Sequence, residues 1–216
     1  MTTELSSPLT INDFQTEAQF SIETLARLEK YKNTLTQWQK KINLVSLKSQ
    51  NDLWRRHMLD SAQLFPYLEN IRMPIYDLGS GAGFPGLVLA IMGITDIHLV
   101  ESDNRKCVFL QEVNALTQAD VAIHNVRIEK LGAVTPGSVI GRGLSALDSL
   151  LGYAYPILSK DGFCLFLKGQ KTEQELTAAR KNWMMRAEQF KSLTDPTGVI
   201  LKIDNVSRKN DCDSRP

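Results

Sequence analysis

One short stretch, in which an apolar run breaks into glycines, constrains this 216-residue chain more than any other. Ile75-Tyr76-Asp77-Leu78 is followed by Gly79-Ser80-Gly81-Ala82-Gly83-Phe84-Pro85-Gly86, and apolar character resumes as Leu87-Val88-Leu89-Ala90-Ile91. Such a pattern reads as strand, tight loop and helix, because Pro85 suits a first helical turn where no amide donor is needed. Gly79, Gly81 and Gly83 alternate. Lacking a Cβ, they admit φ > 0 and let backbone amides close on a ligand at the positive end of the following helix. A βα unit of this kind handles a nucleotide.

Two ligand classes fit the spacing. Gly81-x-Gly83-x-x-Gly86 matches the dinucleotide fingerprint, and Glu101, ending the run Ile97-His98-Leu99-Val100, stands where its acidic ribose partner belongs. Read from Asp77, the same residues give Asp-x-Gly-x-Gly-x-Gly, the pattern of Rossmann-like methyltransferases that use S-adenosylmethionine (SAM). Asp77 separates the two. A carboxylate beside the cradle repels a pyrophosphate, whereas SAM carries a sulfonium and an ammonium that it attracts. SAM is therefore the expected cofactor, and a NAD-dependent oxidoreductase is the alternative.

The remaining bounds are ordinary. Hydrophobic content of 43% and charged content of 23% fit a globular α/β protein. Cys107, Cys164 and Cys212 are far apart and histidines number only three, so neither a disulfide framework nor a metal site is expected and the cytoplasm is the default. No secretion signal or membrane span is visible, and the chain is expected to work as a monomer. Net charge is +1, yet between Arg27 and His57 eight basic residues stand against Glu29 and Asp52. A polyanion could dock there, with Arg55 and Arg56 as candidate contacts.

In chain order, residues 1 to about 10 look loose. Ile22, Leu25, Leu28, Tyr31, Leu35, Trp38 and Ile42 recur at helical steps. Ser49-Gln50-Asn51-Asp52 resembles a capping box opening a helix through Leu53, Trp54, His57 and Met58. Residues 1–70 are thus expected to be a helical extension packed on the core, 71–206 the ligand-binding core and 207–216 a tail. Within the core the spacing predicts strands near Ile97–Glu101, Val121–His124, Ser138–Gly141 and Phe163–Leu167. Helices are expected from Asp103 to Leu116, with Val108, Phe109 and Val113 inward, from Leu144 to Leu158, and from Lys171 to Lys181. Strand candidates near Met184–Leu193 and Val199–Ile203 close a seven-stranded, mostly parallel sheet with an antiparallel pair at its end.

In an open parallel sheet ligands lie beyond the carboxyl ends of the strands, which gathers Gly79 to Phe84, Glu101, Ile128, Glu129, Arg142 and Lys168 into one crevice. Glu101 is expected to take the ribose hydroxyls. Methylating an exocyclic amine calls for an Asn/Asp-Pro-Pro-aromatic box after the fourth strand, where this chain has Gly141-Arg142-Gly143-Leu144. Methylating pyrimidine carbon-5 calls for a thiolate, but Cys107 and Cys164 read as core. A ring nitrogen such as guanine N7 needs neither, only alignment.

The chain resembles the bacterial 16S ribosomal RNA guanine-N7 methyltransferases, the glucose-inhibited division protein B family. The resemblance runs from about Tyr31 to Ile203. It rests on Trp38 with Asn43-Leu44-Val45-Ser46, on His57-Met58-Leu59-Asp60-Ser61, on Asp77 through Gly86 with its Gly-Phe-Pro-Gly continuation, and on Arg127-Ile128-Glu129, Arg142 and Leu167-Lys168-Gly169-Gln170. It implies a Rossmann-like SAM-dependent fold, SAM contacts from Gly79, Phe84, Ile128, Glu129 and Arg142, and methylation of the guanine at position 527 of small-subunit RNA. Lys168 at a strand end is the further RNA candidate, and His57 reads as a core histidine as readily as a functional one. The family usually shows Ser-Arg-Ala-Phe, often after an acid, where this chain keeps only Arg142. A non-catalytic RNA-binding or assembly factor on the same fold is the remaining alternative.

Overall fold

The computed structural model describes residues 8–11, 13, 21–71 and 74–209. One sheet contains β1 (Ile75–Leu78), β2 (Ile97–Glu101), β3 (Ala122–Asn125), β4 (Ser138–Arg142), β5 (Phe163–Lys168), β6 (Trp183–Lys191) and β7 (Val199–Arg208). Their spatial order is β3-β2-β1-β4-β5-β7-β6. The first five are parallel, and β7 runs antiparallel between β5 and β6. This is the seven-stranded, mostly parallel α/β sheet that the pattern predicts. Strand order reverses at β1, so the carboxyl ends of β1 and β4 flank the switch point where such sheets take ligands.

Helices α1 (Ile22–Trp38), α2 (Gly86–Ile91), α3 (Asn104–Thr117), α4 (Leu147–Ala154) and α5 (Thr172–Ala179) cover the two faces. Strand alternation divides the core between them. Ile75, Leu99, Ile140 and Leu165 pack with α1, α2 and α3, while Tyr76, Leu78, Val100, Cys164 and Phe166 pack with α4 and α5. Asp77 shares the face of Ile75, which puts a carboxylate into an apolar layer directly beneath α2.

Helix α1 begins at Ser21, whose side chain accepts the Thr24 amide, and buries Leu25, Leu28, Tyr31 and Leu35. Ile22 falls off that stripe and is 80% exposed. Arg27 donates from Nε to Thr117 O at 2.6 Å and from Nη2 to Gln118 O at 2.9 Å, placing a cation on the carboxyl end of α3. Trp38 packs edge-on against Phe109 and donates to Glu112. The inward side of α3 is Phe109, Leu110 and Val113; Val108, expected there, is 44% exposed.

Other boundaries differ for local reasons. Ser46, not Ser49, caps the short helix Leu47–Gln50, and Ser49 is buried with its hydroxyl donating to Ser46 O. The helix expected from Leu144 starts only at Leu147, because Gly143 has φ +64 and the Ser145 carbonyl turns aside to Lys168. Strand β7 runs five residues beyond the expected Ile203, paired with β6 past a bulge between Met184 and Arg186. Leu193, expected at the end of β6, lies instead in the β6–β7 loop with its amide on Gln63. Cys107 and Cys164 are buried in the core as expected, and Cys212 lies outside the described residues. Among the described residues no helix is long and apolar enough to cross a membrane.

Candidate active site

The glycine loop is tied down from four sides. Gly79, Gly81 and Gly83 have φ of +67, +57 and +92. The Ser80 amide bonds Val100 O on β2, its hydroxyl bonds Asp77 O, and the Gly83 amide returns to Ser80 O. The two carboxylates that bracket the loop both hold its backbone. Asp77 Oδ2 accepts the Gly86 amide at 2.9 Å, and Glu101 accepts from Gly81 at 2.9 Å and Asp103 at 2.7 Å. From below, the Tyr31 hydroxyl donates to Ala82 O while its ring stacks on Phe84 at 5.2 Å.

Asp77 lies beneath the loop and not on the side open to a ligand, where the sequence leads one to expect it. It is fully buried at the amino end of α2, and Oδ1 has no hydrogen-bond partner among the described residues. Burial pushes its carboxyl up to about 7, opposed by the Gly86 amide and by Arg142. Strand alternation causes this placement, and it makes the acid a brace under the cradle.

A π-helical turn, Trp54–Leu59, builds the facing wall. There the Asp60 amide reaches Arg55 O, five residues back, and the widened turn directs His57 inward while leaving Arg56 exposed. Arg142, at the end of β4, meets this turn with a single guanidinium. Nη1 donates to Arg56 O at 2.9 Å and to Asp60 Oδ2 at 3.1 Å, Nη2 lies 2.6 Å from His57 Nδ1, and the group sits 4.9 Å from the centre of the Phe84 ring. A guanidinium can only donate, so Nδ1 accepts and the ring proton belongs on Nε2. Burial first, then Arg142 and Arg56, lowers the His57 pKa to about 3, and the imidazole is neutral. Asp60 continues the network, its Oδ1 accepting from Thr194 at 2.7 Å and Gln63 at 2.9 Å.

Two cavities open between these walls. One of about 300 Å³ is lined by Gly79, Gly81, Phe84, His57, Lys106 and Arg142. The other, of about 540 Å³, is lined by Ser46, Arg56, Asp60, Lys168, Thr194 and Asp195 and shares His57, Arg142 and Gly143 with the first. A loop-built pocket thus adjoins a larger one at one histidine, one arginine and Gly143.

The family model described as GidB, rRNA small subunit methyltransferase G, matches residues 24–200. The chain belongs to this family. A relative named ribosomal RNA small subunit methyltransferase G from Paramagnetospirillum magneticum is 52% identical over 193 residues, 89% of this chain and 94% of that protein. One of the same name from Rickettsia prowazekii is 37% identical, covering 86% of this chain and 96% of its own length. Among solved structures, magnesium protoporphyrin IX methyltransferase from Synechocystis shares the fold with TM-score 0.59 at 11% identity, covering 86% of this chain and 98% of that one. Ribosomal protein L11 methylase from Lactobacillus delbrueckii subsp. bulgaricus does so with TM-score 0.56 at 15%, covering 69% and 77%. Membership makes this chain a small-subunit rRNA methyltransferase, and the oxidoreductase alternative falls.

Within this family frame, the expected residues divide. Gly79, Gly81, Phe84 and Arg142 line one cavity, and Glu101 grips the same loop. Gly83 serves packing, since a Cβ there would stand 2.5 Å from Leu87 Cδ1. Ile128 and Glu129 form a 3₁₀ turn after β3, but Glu129 is exposed and lines a separate cavity with Asp148, Tyr153 and Trp183. Lys168 reaches the larger cavity already paired with Glu175 at 2.6 Å and bonded to Ser145 O. Arg55 is half-buried on Asp52, whereas Arg56 lines the larger cavity opposite Asp195. Where the family has an aromatic, Leu144 covers Gly79, its nearest methyl 2.5 Å from where a Cβ would stand. Asp60, Gln63, Thr194, Tyr31 and Lys106 escape the sequence reading of the site. Only Asp60 left a signal there, three residues after His57 in a motif shared with the family.

Proposed function

We propose that this chain transfers the methyl group of SAM to N7 of a guanine, position 527, in 16S ribosomal RNA, in the cytoplasm. The observation that carries the reading is the meeting of the two cavities at His57, Arg142 and Gly143, one built from the glycine loop and the other large enough for a base. The loop suits SAM. A Cβ at Gly81 would meet nothing nearer than 3.8 Å, so its backbone borders open space, and the Glu101 carboxylate keeps lone pairs beyond those given to two amides. Gly79, Gly81, Phe84, Glu101 and Arg142 would hold the cofactor, Glu101 at the ribose hydroxyls; Ile128 and Glu129, the further contacts that the resemblance implies, stand outside this cavity and would reach only a part of the cofactor extending beyond it.

When bound, SAM supplies an electrophilic methyl group on a sulfonium. The chain supplies place and charge. His57, kept neutral, adds no positive charge where a cationic donor must sit, and the charge of Arg142 is offset by the Asp60 carboxylate while the residue still lines the cavity. Neither a base nor a nucleophile is required, because guanine N7 carries a free lone pair. The two cysteines among the described residues fit this: Cys107 is buried and donates to Glu101 O, and burial drives the Cys164 thiol far up. Positioning alone can supply about 7–11 kcal/mol of a barrier.

Mass spectrometry of small-subunit RNA from cells lacking the protein is expected to show loss of N7 methylation at that guanine. Unchanged methylation overturns the reading. A single-turnover assay with radiolabelled SAM on ribosomal subunits separates an enzyme from an assembly factor: product within one turnover is expected, and none favours the latter.

A further inference from the structure

Four cations around the crevice are already paired. Arg142 pairs with Asp60, Lys168 with Glu175, Arg56 with Asp195 and Arg55 with Asp52. A crevice whose charges are already paired suits a base and offers little to a phosphate. Another cleft, of about 420 Å³, lies between residues 39–43 and the start of α3, and it is lined by Lys40, Lys41, Lys106, Arg105, Asn43 and Asp103. Arg105 is cancelled by Asp103 at 3.0 Å. Lys40, Lys41 and Lys106 form no ion pair with any described residue. Lys40 and Lys41 are exposed, Lys41 lying 5.7 Å over the Trp38 ring. Lys106 is half-buried and lines both this cleft and the loop cavity, so the unneutralised charge leads directly to the site of reaction.

We propose that this cleft is where the RNA backbone docks, with Lys40, Lys41 and Lys106 each neutralising a phosphate while the target base enters the crevice; this rests on the RNA-methylating reading above. The residue pair that the sequence singles out, Arg55 and Arg56, is then peripheral to RNA affinity. Each lysine–phosphate contact on a single strand contributes roughly 0.7 to the slope of log affinity against log salt, so three contribute about 2.

The test measures binding of full-length protein to small-subunit RNA between 50 and 200 mM salt, with SAM affinity read separately by calorimetry. The K40Q/K41Q/K106Q variant is expected to lose about 2 from the slope, K40Q/K41Q about 1.4 with SAM affinity unchanged, and R55Q/R56Q less than 0.7. Wild type that methylates the RNA while the triple variant keeps its slope refutes the cleft and leaves the methylation reading intact. So does a triple variant that loses SAM affinity but keeps its slope, or one that instead loses binding to phosphatidylglycerol vesicles. Wild type that neither binds nor methylates the RNA removes both readings together.

Discussion

The loop wall of the crevice comes from eight consecutive residues and is made of backbone, whereas the facing wall is made of side chains that reach it from positions 57, 60, 142 and 194. In the first, amides given to Asp77, Glu101 and Val100 and the Ala82 carbonyl taken by Tyr31 hold the backbone, and the glycines matter for what they lack. In the second, one guanidinium serves three partners, and the Asp60–Thr194 bond spans 134 residues. The first wall is sensitive to volume and φ. The second is sensitive to charge and to which nitrogen holds a proton.

Gly83→Val tests the first wall most severely. Its φ of +92 disfavours any L residue, and the added Cβ would press Leu87 and Leu110 at 2.5 and 3.0 Å. SAM affinity by calorimetry is expected to fall more than about a hundredfold, since distorting the loop at a cost of about 1–3 kcal/mol also misplaces its amides. Binding within a factor of three of wild type would show that the loop tolerates volume after all.

Arg142→Ala attacks the second wall, and a smaller effect is expected. Removing the guanidinium leaves His57 Nδ1 and one Asp60 oxygen without their partner, which costs about 1–3 kcal/mol of stability. Methylation should drop at least about tenfold while circular dichroism stays native. Wild-type turnover would deny the residue a role at the crevice.

Titration sets the two walls against each other. Asp77, raised from 3.8 to about 7, keeps in the fold a proton that the unfolded chain releases. Its contribution is complete below about pH 4 and is lost as pH rises through 7. His57, lowered from 6.5 to about 3, does the opposite: its contribution is complete above 6.5 and is lost as pH falls through 3. Between pH 4 and 6.5 the slopes oppose, each at most about 1.4 kcal/mol per pH unit, and largely cancel. Urea unfolding should therefore show stability rising with pH in Asp77→Asn and falling with pH in His57→Gln. Slopes of the same sign in both variants would contradict the opposed linkage. The smallest effect belongs to Arg55→Gln, which removes a charge already paired with Asp52 and should change RNA affinity by less than roughly threefold.

Legibility in the sequence follows the same division. The strand Ile97–Glu101 and the positive φ of the loop glycines are local consequences of residue type, and they stand where the pattern puts them. That His57 belongs inside is legible, but its meeting with Arg142 is not, because a π-helical turn changes which residues share a face and helical spacing assumes 3.6 per turn. Arg55 and Arg56 look alike in a charge count, yet one is spent on Asp52 and the other borders a cavity. Gln63 and Thr194 carry no mark of their meeting with Leu193 and Asp60, since only the antiparallel return of β7 brings that loop beside the π turn. The glycine pattern places Asp77 at the right loop but says nothing of its side; the parity of its strand, with Ile75 in the core, decides that it points under α2.

The Tyr31 hydroxyl comes to Ala82 from a helix that ends well before the sheet begins. Residues 75–101, grafted onto a foreign scaffold, would carry the consensus spelling of the site without the beam beneath it, leaving a bare carbonyl and the underside of Phe84 in water. Anyone borrowing this loop for another protein must therefore borrow α1 as well, and a substitution at position 31 belongs among candidate loss-of-function changes although it touches no cavity.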